Sequence, residues 1–390
     1  MHPDQIRATL AQQHIETPSW AYGNSGTRFK VFAQDGIPRT AFEKISDAAQ
    51  VHRFTGVAPT VAIHIPWDTP DAGRSYSDLA DHARNEGVAI GAVNPNTFQD
   101  DAYKLGSVCN PDPAIRRQAI GHLLQCIDIM RETGSKELSL WFADGTNYPG
   151  QDSIRERQDR LAAALAETYA ALDDDMTMLI EYKFFEPAFY STDLPDWGTS
   201  LLQCLHLGPQ AKVLVDTGHH APGTNIEMIV ATLLREGRLG GFHFNSRFYA
   251  DDDLMVGSAD PFGLFRIMFE IAQAGAVLPD AGVAFMLDQC HNIEAKIPGQ
   301  IRSVMNVQEA TAKALLVDLD ALAGARSGGD VLAANAIVMD AYSSDVRPLL
   351  AAVREEQGLA PDPMTAFAAS GYTEKIVSER VGGSAAGWGA

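Results

Sequence analysis

Eight short, β-rich apolar runs alternate with longer stretches of helical period. That alternation limits what this chain can fold into more than any other feature. The runs are Ser19–Tyr22, Thr60–Ile65, Val88–Val93, Leu138–Phe142, Met176–Tyr182, Lys212–Asp216, Leu239–Phe244 and Val283–Leu287. Several are apolar at consecutive positions, as in Val-Ala-Ile and Val-Leu-Val. A strand buried on one face alternates polar with apolar residues. A strand buried on both faces does not, which points to a parallel sheet covered by helices. The helical stretches carry their own signals. Asp112-Pro113 supplies an N-cap and a first-turn proline, Ile115, Ala119, Leu123, Ile127 and Met130 form one stripe, and Gly134 stops it. Ser153 and Glu156 read as a capping box ahead of Leu161, Leu165 and Leu172. The pattern predicts an α/β chain folded as a (β/α)8 TIM barrel, although a doubly wound open sheet shares the alternation.

Beyond about Arg302 no further strand is expected. Ala310–Ala323, Val331–Tyr342 and Val346–Gln357 read as helices. The expected division is a catalytic barrel over residues 1–300 and a C-terminal helical arm and tail over 301–390. The tail ends in a glycine-rich stretch carrying Trp388. With 46% hydrophobic residues, the chain is not a disordered one. Thirty basic against 50 acidic residues give a formal charge of −20, which argues against nucleic acid and anionic membranes as partners. Cys109, Cys126, Cys204 and Cys290 form no CxxC pair and read as reduced thiols of a cytoplasmic protein. The first residues lack an apolar signal core, and no run approaches the ~18 apolar residues that span a bilayer.

In a barrel, chemistry sits at the C-terminal strand ends. Four successive runs end on Glu181, Asp216, His243 and Asp288. Any one carboxylate there reads as a helix N-cap, and a lone histidine as a core residue. Together they converge at the barrel mouth, where three carboxylates cannot all stay ionised unpaired. A divalent cation resolves the conflict, and an oxygen-rich set with one imidazole suits Mn²⁺, Co²⁺ or Mg²⁺. His219, three residues past Asp216, and the Asp251-x-Asp253 pair are candidates for a second cation, with Asp216 bridging. The competing reading of that segment is an acidic turn facing water, which Asp252 fits. Lys183 shares a strand face with Glu181 and suits a substrate oxygen, or else a plain ion pair with Glu181 or Glu186. His64 and Trp141 end their strands, and Trp67 follows His64. With Phe98, Phe184 and Phe185 they read as packing or as a flat wall for a sugar's C–H face.

The row Glu181-x-Lys183, Asp216-x-x-His219, His243, Asp251-x-Asp253, Asp288 resembles the two-metal aldose–ketose isomerases of the xylose isomerase-like barrel superfamily. The stretches IEYKFFEPAFYSTD, VLVDTGHHAPGTNIEMIVA, GFHFNSRFYADDDLMVGS, IHIPWD and LWFADGTNYPGQ are similar to the L-rhamnose isomerases of the Pseudomonas type. The resemblance runs from about Gln50 to the C-terminus. It implies conversion of L-rhamnose to L-rhamnulose with breadth over other aldoses. Two divalent cations per chain are implied, Mn²⁺ first, with Co²⁺, Mg²⁺ or Zn²⁺ as options. Glu181, Asp216, His243 and Asp288 would hold a structural ion. Asp216, His219, Asp251 and Asp253 would hold a catalytic one with a water. His64 would assist ring opening, Lys183 would hold a substrate oxygen, and Trp67, Trp141 and His219 would complete the sugar site. The implied chemistry is ring opening and a 1,2-hydride shift, with an enediol route using Asp251 or a metal-bound hydroxide as base as the alternative. The implied assembly is a homotetramer whose N-terminal segment and neighbouring loop close the pocket. One departure is the loop Gln289-Cys290-His291-Asn292, where a more serine-rich segment is expected. Rival readings are a one-metal ketose 3-epimerase, a metal-dependent phosphoesterase and a non-catalytic sugar-binding protein.

Overall fold

The apolar runs become strands in the computed structural model, which describes residues 2–24, 31–185, 190–248, 253–289 and 293–381. Among these residues eight parallel strands stand side by side in chain order. They are β1 (Thr17–Pro18), β2 (Thr60–Ile65), β3 (Ala89–Pro95), β4 (Glu137–Leu140), β5 (Thr177–Glu181), β6 (Ala211–Asp216), β7 (Leu239–Phe244) and β8 (Ala284–Leu287). Glu16 draws the last strand back to the first. Its N–H donates to Phe285 O (2.7 Å), and its own carbonyl accepts from Leu287 N (2.9 Å). The expected (β/α)8 TIM barrel is therefore the observed one.

Strand parity explains the two-faced apolar runs. Outward residues such as Ile63, Met178, Ile180, Val213, Val215, Phe242 and Phe285 join the large core between sheet and helices. Inward residues Ala62, Ala92, Leu179, Leu214 and Met286 fill the barrel with Trp20. One step further along each strand, the inward positions become polar. The floor also holds a buried acid, Glu16, whose carboxylate accepts from Ala92 N (3.0 Å). Gly91 makes room for it, since a Cβ at that position would lie 1.4 Å from the Glu16 carboxylate.

The first strand differs from its expectation. Ser19–Tyr22 is a 3-10 turn, and the pairing belongs to Thr17–Pro18, which faces Val61 and Ala62. Proline has no N–H to carry the ladder further, so the chain leaves the sheet there. That departure is what swings Trp20 into the barrel.

Among the described residues eight helices alternate with the strands: α2 (Ala41–Thr55), α3 (Tyr76–Asn85), α4 (Pro113–Thr133), α5 (Ile154–Tyr169), α6 (Trp197–Leu207), α7 (Ile226–Arg235), α8 (Pro261–Gln273) and α9 (Lys296–Leu315), with α1 (Pro3–Ala11) preceding β1. The α4 signals hold: the Asp112 side chain accepts from Ala114 N, and Gly134 ends the helix in the left-handed region at φ 81°. Ser153 caps α5 through the Glu156 N–H. The single helix expected over Ala310–Ala323 is two. α9 stops at Leu315, and Asp318 caps a new helix, α10 (Leu319–Ser327), through Ala321 N. The C-terminal region continues as α11 (Val331–Ser343), α12 (Arg347–Glu356), α13 (Pro363–Ala368) and α14 (Tyr372–Glu379). Arg380 pins its end to the barrel layer through a buried ion pair with Asp47 of α2 (2.7 Å). No helix among the described residues is long and apolar enough to cross a membrane.

Candidate active site

Inward parity at the ends of β5 to β8 delivers Glu181, Asp216, His243 and Asp288 to one place. Asp216 is paired in register with His243 across β6 and β7. Their ligand atoms all lie within 4.8 Å of one another. The first three are buried and Asp288 is partly exposed. Nδ1 of His243 stands 3.2 Å from Glu181 Oε2 and 3.4 Å from Asp288 Oδ2. Neither contact has hydrogen-bond geometry among the described residues, so a buried ring nitrogen faces carboxylates without a hydrogen bond.

The electrostatics follow from crowding three acids in a dry place. Burial alone would raise Glu181, but His243 and His219 hold it at about 2. Burial alone would lower His243, but Glu181, Asp288 and Asp216 lift it to about 9. The imidazolium thus serves as the cation of the cluster. A divalent ion would neutralise the same charge more completely and engage the ring nitrogen as a ligand. Three carboxylates and one imidazole fit a hard or borderline divalent cation. Outer partners orient the acids, as is usual around metals. Trp20 Nε1 donates to Asp288 Oδ1 (2.9 Å), and Asn245 Nδ2 and Gly218 N donate to Asp216 Oδ1 (2.9 and 2.6 Å).

His219 stands beside this cluster. Its Nδ1 lies 3.0 Å from both Tyr182 O and Glu181 Oε1, and its Nε2 lies 3.9 Å from Asp216 Oδ2. Asp253 lines the same cavity with a left-handed backbone, φ 46°, which aspartate tolerates better than most residues but still at a cost. Asp251, with Asp252 and Glu186, lies outside the described residues. Lys183 is buried and points inward, its Nζ 5.3 Å from the centroid of Trp141.

The opposite wall is aromatic. His64 stacks on Trp67 (3.8 Å between centroids, 21°) and meets Trp20 edge-on at 5.7 Å. Phe98 packs edge-on against both His64 (5.7 Å) and Trp141 (4.9 Å). Burial, reinforced by electrostatic repulsion from Lys44 and His122, holds His64 well below its ordinary range and so neutral. Its main chain is held by Asp68, which accepts from His64 N (2.7 Å), from Ser19 Oγ and from Lys44 Nζ (2.7 Å).

The cavity is also lined by Trp20, Asn94 and Ser139, which the sequence reading did not single out. Inward strand parity was the available signal for Asn94 and Ser139; Trp20, on the turn after β1, had none. Phe184 and Phe185 pack edge to face on one another just past Lys183. Gln289 turns away from the cavity, bonding Ser303 Oγ (2.7 Å) and Val256 N (3.1 Å); Cys290, His291, Asn292 and Trp388 lie outside the described residues. A second buried group, Cys109, Asp144 and Asp193, has its charge already answered. Asp144 accepts from Ser107 N and Cys109 N (2.8 Å each), and Asp193 pairs with Arg157 (2.8 Å).

The arrangement is a mouth that suits a divalent cation and a polyol, with an ammonium and a neutral imidazole at its sides and a dry aromatic wall. Comparison with known proteins agrees in kind. Residues 46–279 match the model of the xylose isomerase-like TIM barrel family. The chain is 43% identical over 387 residues to a "probable sugar isomerase" of Rhizobium meliloti, covering 97% of this chain and 88% of that one. It is 44% identical over 385 residues to a second protein of that description in Mesorhizobium japonicum, with the same coverage. Among solved structures, a D-allulose 3-epimerase from Methylomonas sp. superposes with a TM-score of 0.57 at 13% identity, covering 77% of this chain and 98% of that one, a likeness of fold.

Proposed function

The chain belongs to the xylose isomerase-like TIM barrel family, and from that premise we propose that it is a divalent-cation-dependent aldose–ketose isomerase acting on L-rhamnose, with breadth over related aldoses. The observation that carries this reading is the Glu181–Asp216–His243–Asp288 cluster opening onto a cavity that also holds His219, Lys183 and Asp253. Two cations are assigned, Mn²⁺ first, the second on Asp216, His219, Asp251 and Asp253. When bound they would supply Lewis acidity toward neighbouring sugar oxygens.

The chain's own groups do the rest. His64, neutral and clamped by its stack, relays a proton at the ring oxygen so that the sugar opens. Lys183 holds a substrate oxygen and offsets negative charge that develops there. Asp251, or Asp253 beside it, accepts the O2 proton. A proton passes from O2 to O1 while a hydride passes from C2 to C1, so C2 is oxidised and C1 reduced within one molecule. Trp20, Trp67, Phe98 and Trp141 keep water out, which favours hydride transfer over exchange with solvent. On this reading residues 1–300 carry the chemistry and the helical arm braces it, in a cytoplasmic homotetramer.

The test is turnover of a panel of aldoses by the manganese-loaded protein in D₂O. Ketose free of solvent deuterium at C1 is the expected result, and substantial incorporation would sink the hydride shift in favour of an enediol. A ketose 3-epimerase remains the second reading, because the described ligand cluster is a single four-residue one and the fold is also that of such enzymes. One ion per chain and C3 inversion of a ketose would establish it.

A further inference from the structure

We propose that Tyr182 and His220 form a positioning unit that fixes the His219 imidazole for the second cation; the inference rests on the two-cation reading above. Tyr182 sits between Glu181 and Lys183. Those two point into the barrel and Tyr182 points out of it, fully buried. A buried phenol needs a polar partner. It finds one across the barrel rim, where its hydroxyl stands 2.6 Å from Nε2 of His220, also buried. The rings meet edge-on at 5.3 Å.

The same residue holds His219 by its main chain. Nδ1 of His219 lies 3.0 Å from the Tyr182 carbonyl. A carbonyl only accepts, so Nδ1 carries the hydrogen and Nε2 is the nitrogen with a lone pair to offer. That nitrogen is the one on the Asp216 side. Two consecutive imidazoles on the turn after β6 are thus tied to one residue at the end of β5. The Tyr182 carbonyl and Glu181 Oε1, each 3.0 Å from Nδ1, select the tautomer of His219, and the hydroxyl stops the turn from rotating. Neither Tyr182 nor His220 lines the sugar cavity, so their effect on chemistry is through the direction of one ligand, His219.

The experiment is calorimetric titration of the metal-free protein with Mn²⁺. Wild type takes up two ions. Tyr182→Phe keeps the ring and the carbonyl and loses only the hydroxyl. Affinity for one ion is then unchanged and affinity for the other falls about 10- to 100-fold, the usual cost of losing an outer partner. His220→Leu removes the same contact from the other side and gives the same split. His220→Gln retains a partner for the phenol and restores the second affinity. Equal weakening of both ions, or two unchanged affinities in Tyr182→Phe, would show that the contact is mere packing and overturn the proposal alone. A wild-type protein that binds one ion would overturn the two-cation reading and the proposal with it.

Discussion

Asp253 is the one non-glycine among the described residues with a positive φ, and it stands in the cavity. Such strain is held in place by its surroundings and collects at working sites. Asp253→Asn keeps the size and the tolerance for that backbone and removes the charge. Mn²⁺ affinity at the second site is expected to fall at least ~10- to 100-fold, and aldose turnover with it. The first ion and the melting temperature of the metal-free protein should stay as they are, which calorimetry and a thermal melt check. Unfolding on purification would show that Asp253 is a structural residue. At the other end of the barrel, Glu137 carries a different prediction. Burial and the neighbouring Glu16 push it up to about 8, against the pull of Lys212. Between the ordinary carboxylate range and about 8, the unfolded chain has lost a proton that the folded chain keeps. Stability therefore falls as pH rises through that window and levels off above it. Glu137→Gln should flatten this slope in melting temperatures taken from pH 5 to 9, and an unchanged slope would remove Glu137 as its source.

Elements explain why the sequence was informative in some places and not in others. The α4 boundaries were legible because both ends are chemical: a carboxylate cap, a first-turn proline and a left-handed glycine. Gly134 gives a clean check, since a Cβ there would meet nothing within 4 Å. Gly134→Ala should then cost only backbone strain, about 1–2 kcal/mol in urea denaturation. The site at the ends of β5 to β8 was legible for a similar reason: inward parity places Glu181, Asp216, His243 and Asp288 without reference to distant residues. β1 was not legible. Its paired segment is two residues long and is preceded by the polar, buried Glu16. The apolar Ser-Trp-Ala-Tyr that follows looked more like a strand than the real one. Trp20 was missed for that reason, and its bond to Asp288 exists only because barrel closure brings residues 268 positions apart together. The break between α9 and α10 was hidden because Asp318 as a cap is indistinguishable in composition from an acid on a helix surface.

At the scale of the whole molecule, the surplus of acids is both a surface property and a site property. On the proposed two-cation reading, Glu181, Asp216, Asp251, Asp253 and Asp288 share one mouth, and two dications there would move the formal charge from −20 to −16. Ions that bind only the folded chain stabilise it, by about 2.7 kcal/mol each at a free concentration one hundred times Kd. With an unfolding entropy of about 2.1 cal/mol/K per residue, a chain of 390 residues gains roughly 3 °C per ion. Chelation should lower the melting temperature by about twice that, and restoring Mn²⁺ should reverse it. The acidic surface offers a rival explanation, because any salt screens repulsion among surface carboxylates. The two causes separate by concentration. Screening follows ionic strength and is reproduced by sodium chloride at equal strength. Site binding keeps rising with the logarithm of free Mn²⁺ at levels too low to alter ionic strength. A shift matched by sodium chloride would leave the carboxylates of the mouth as surface charge, whereas a shift specific to micromolar Mn²⁺ ties the stability of the barrel to its mouth.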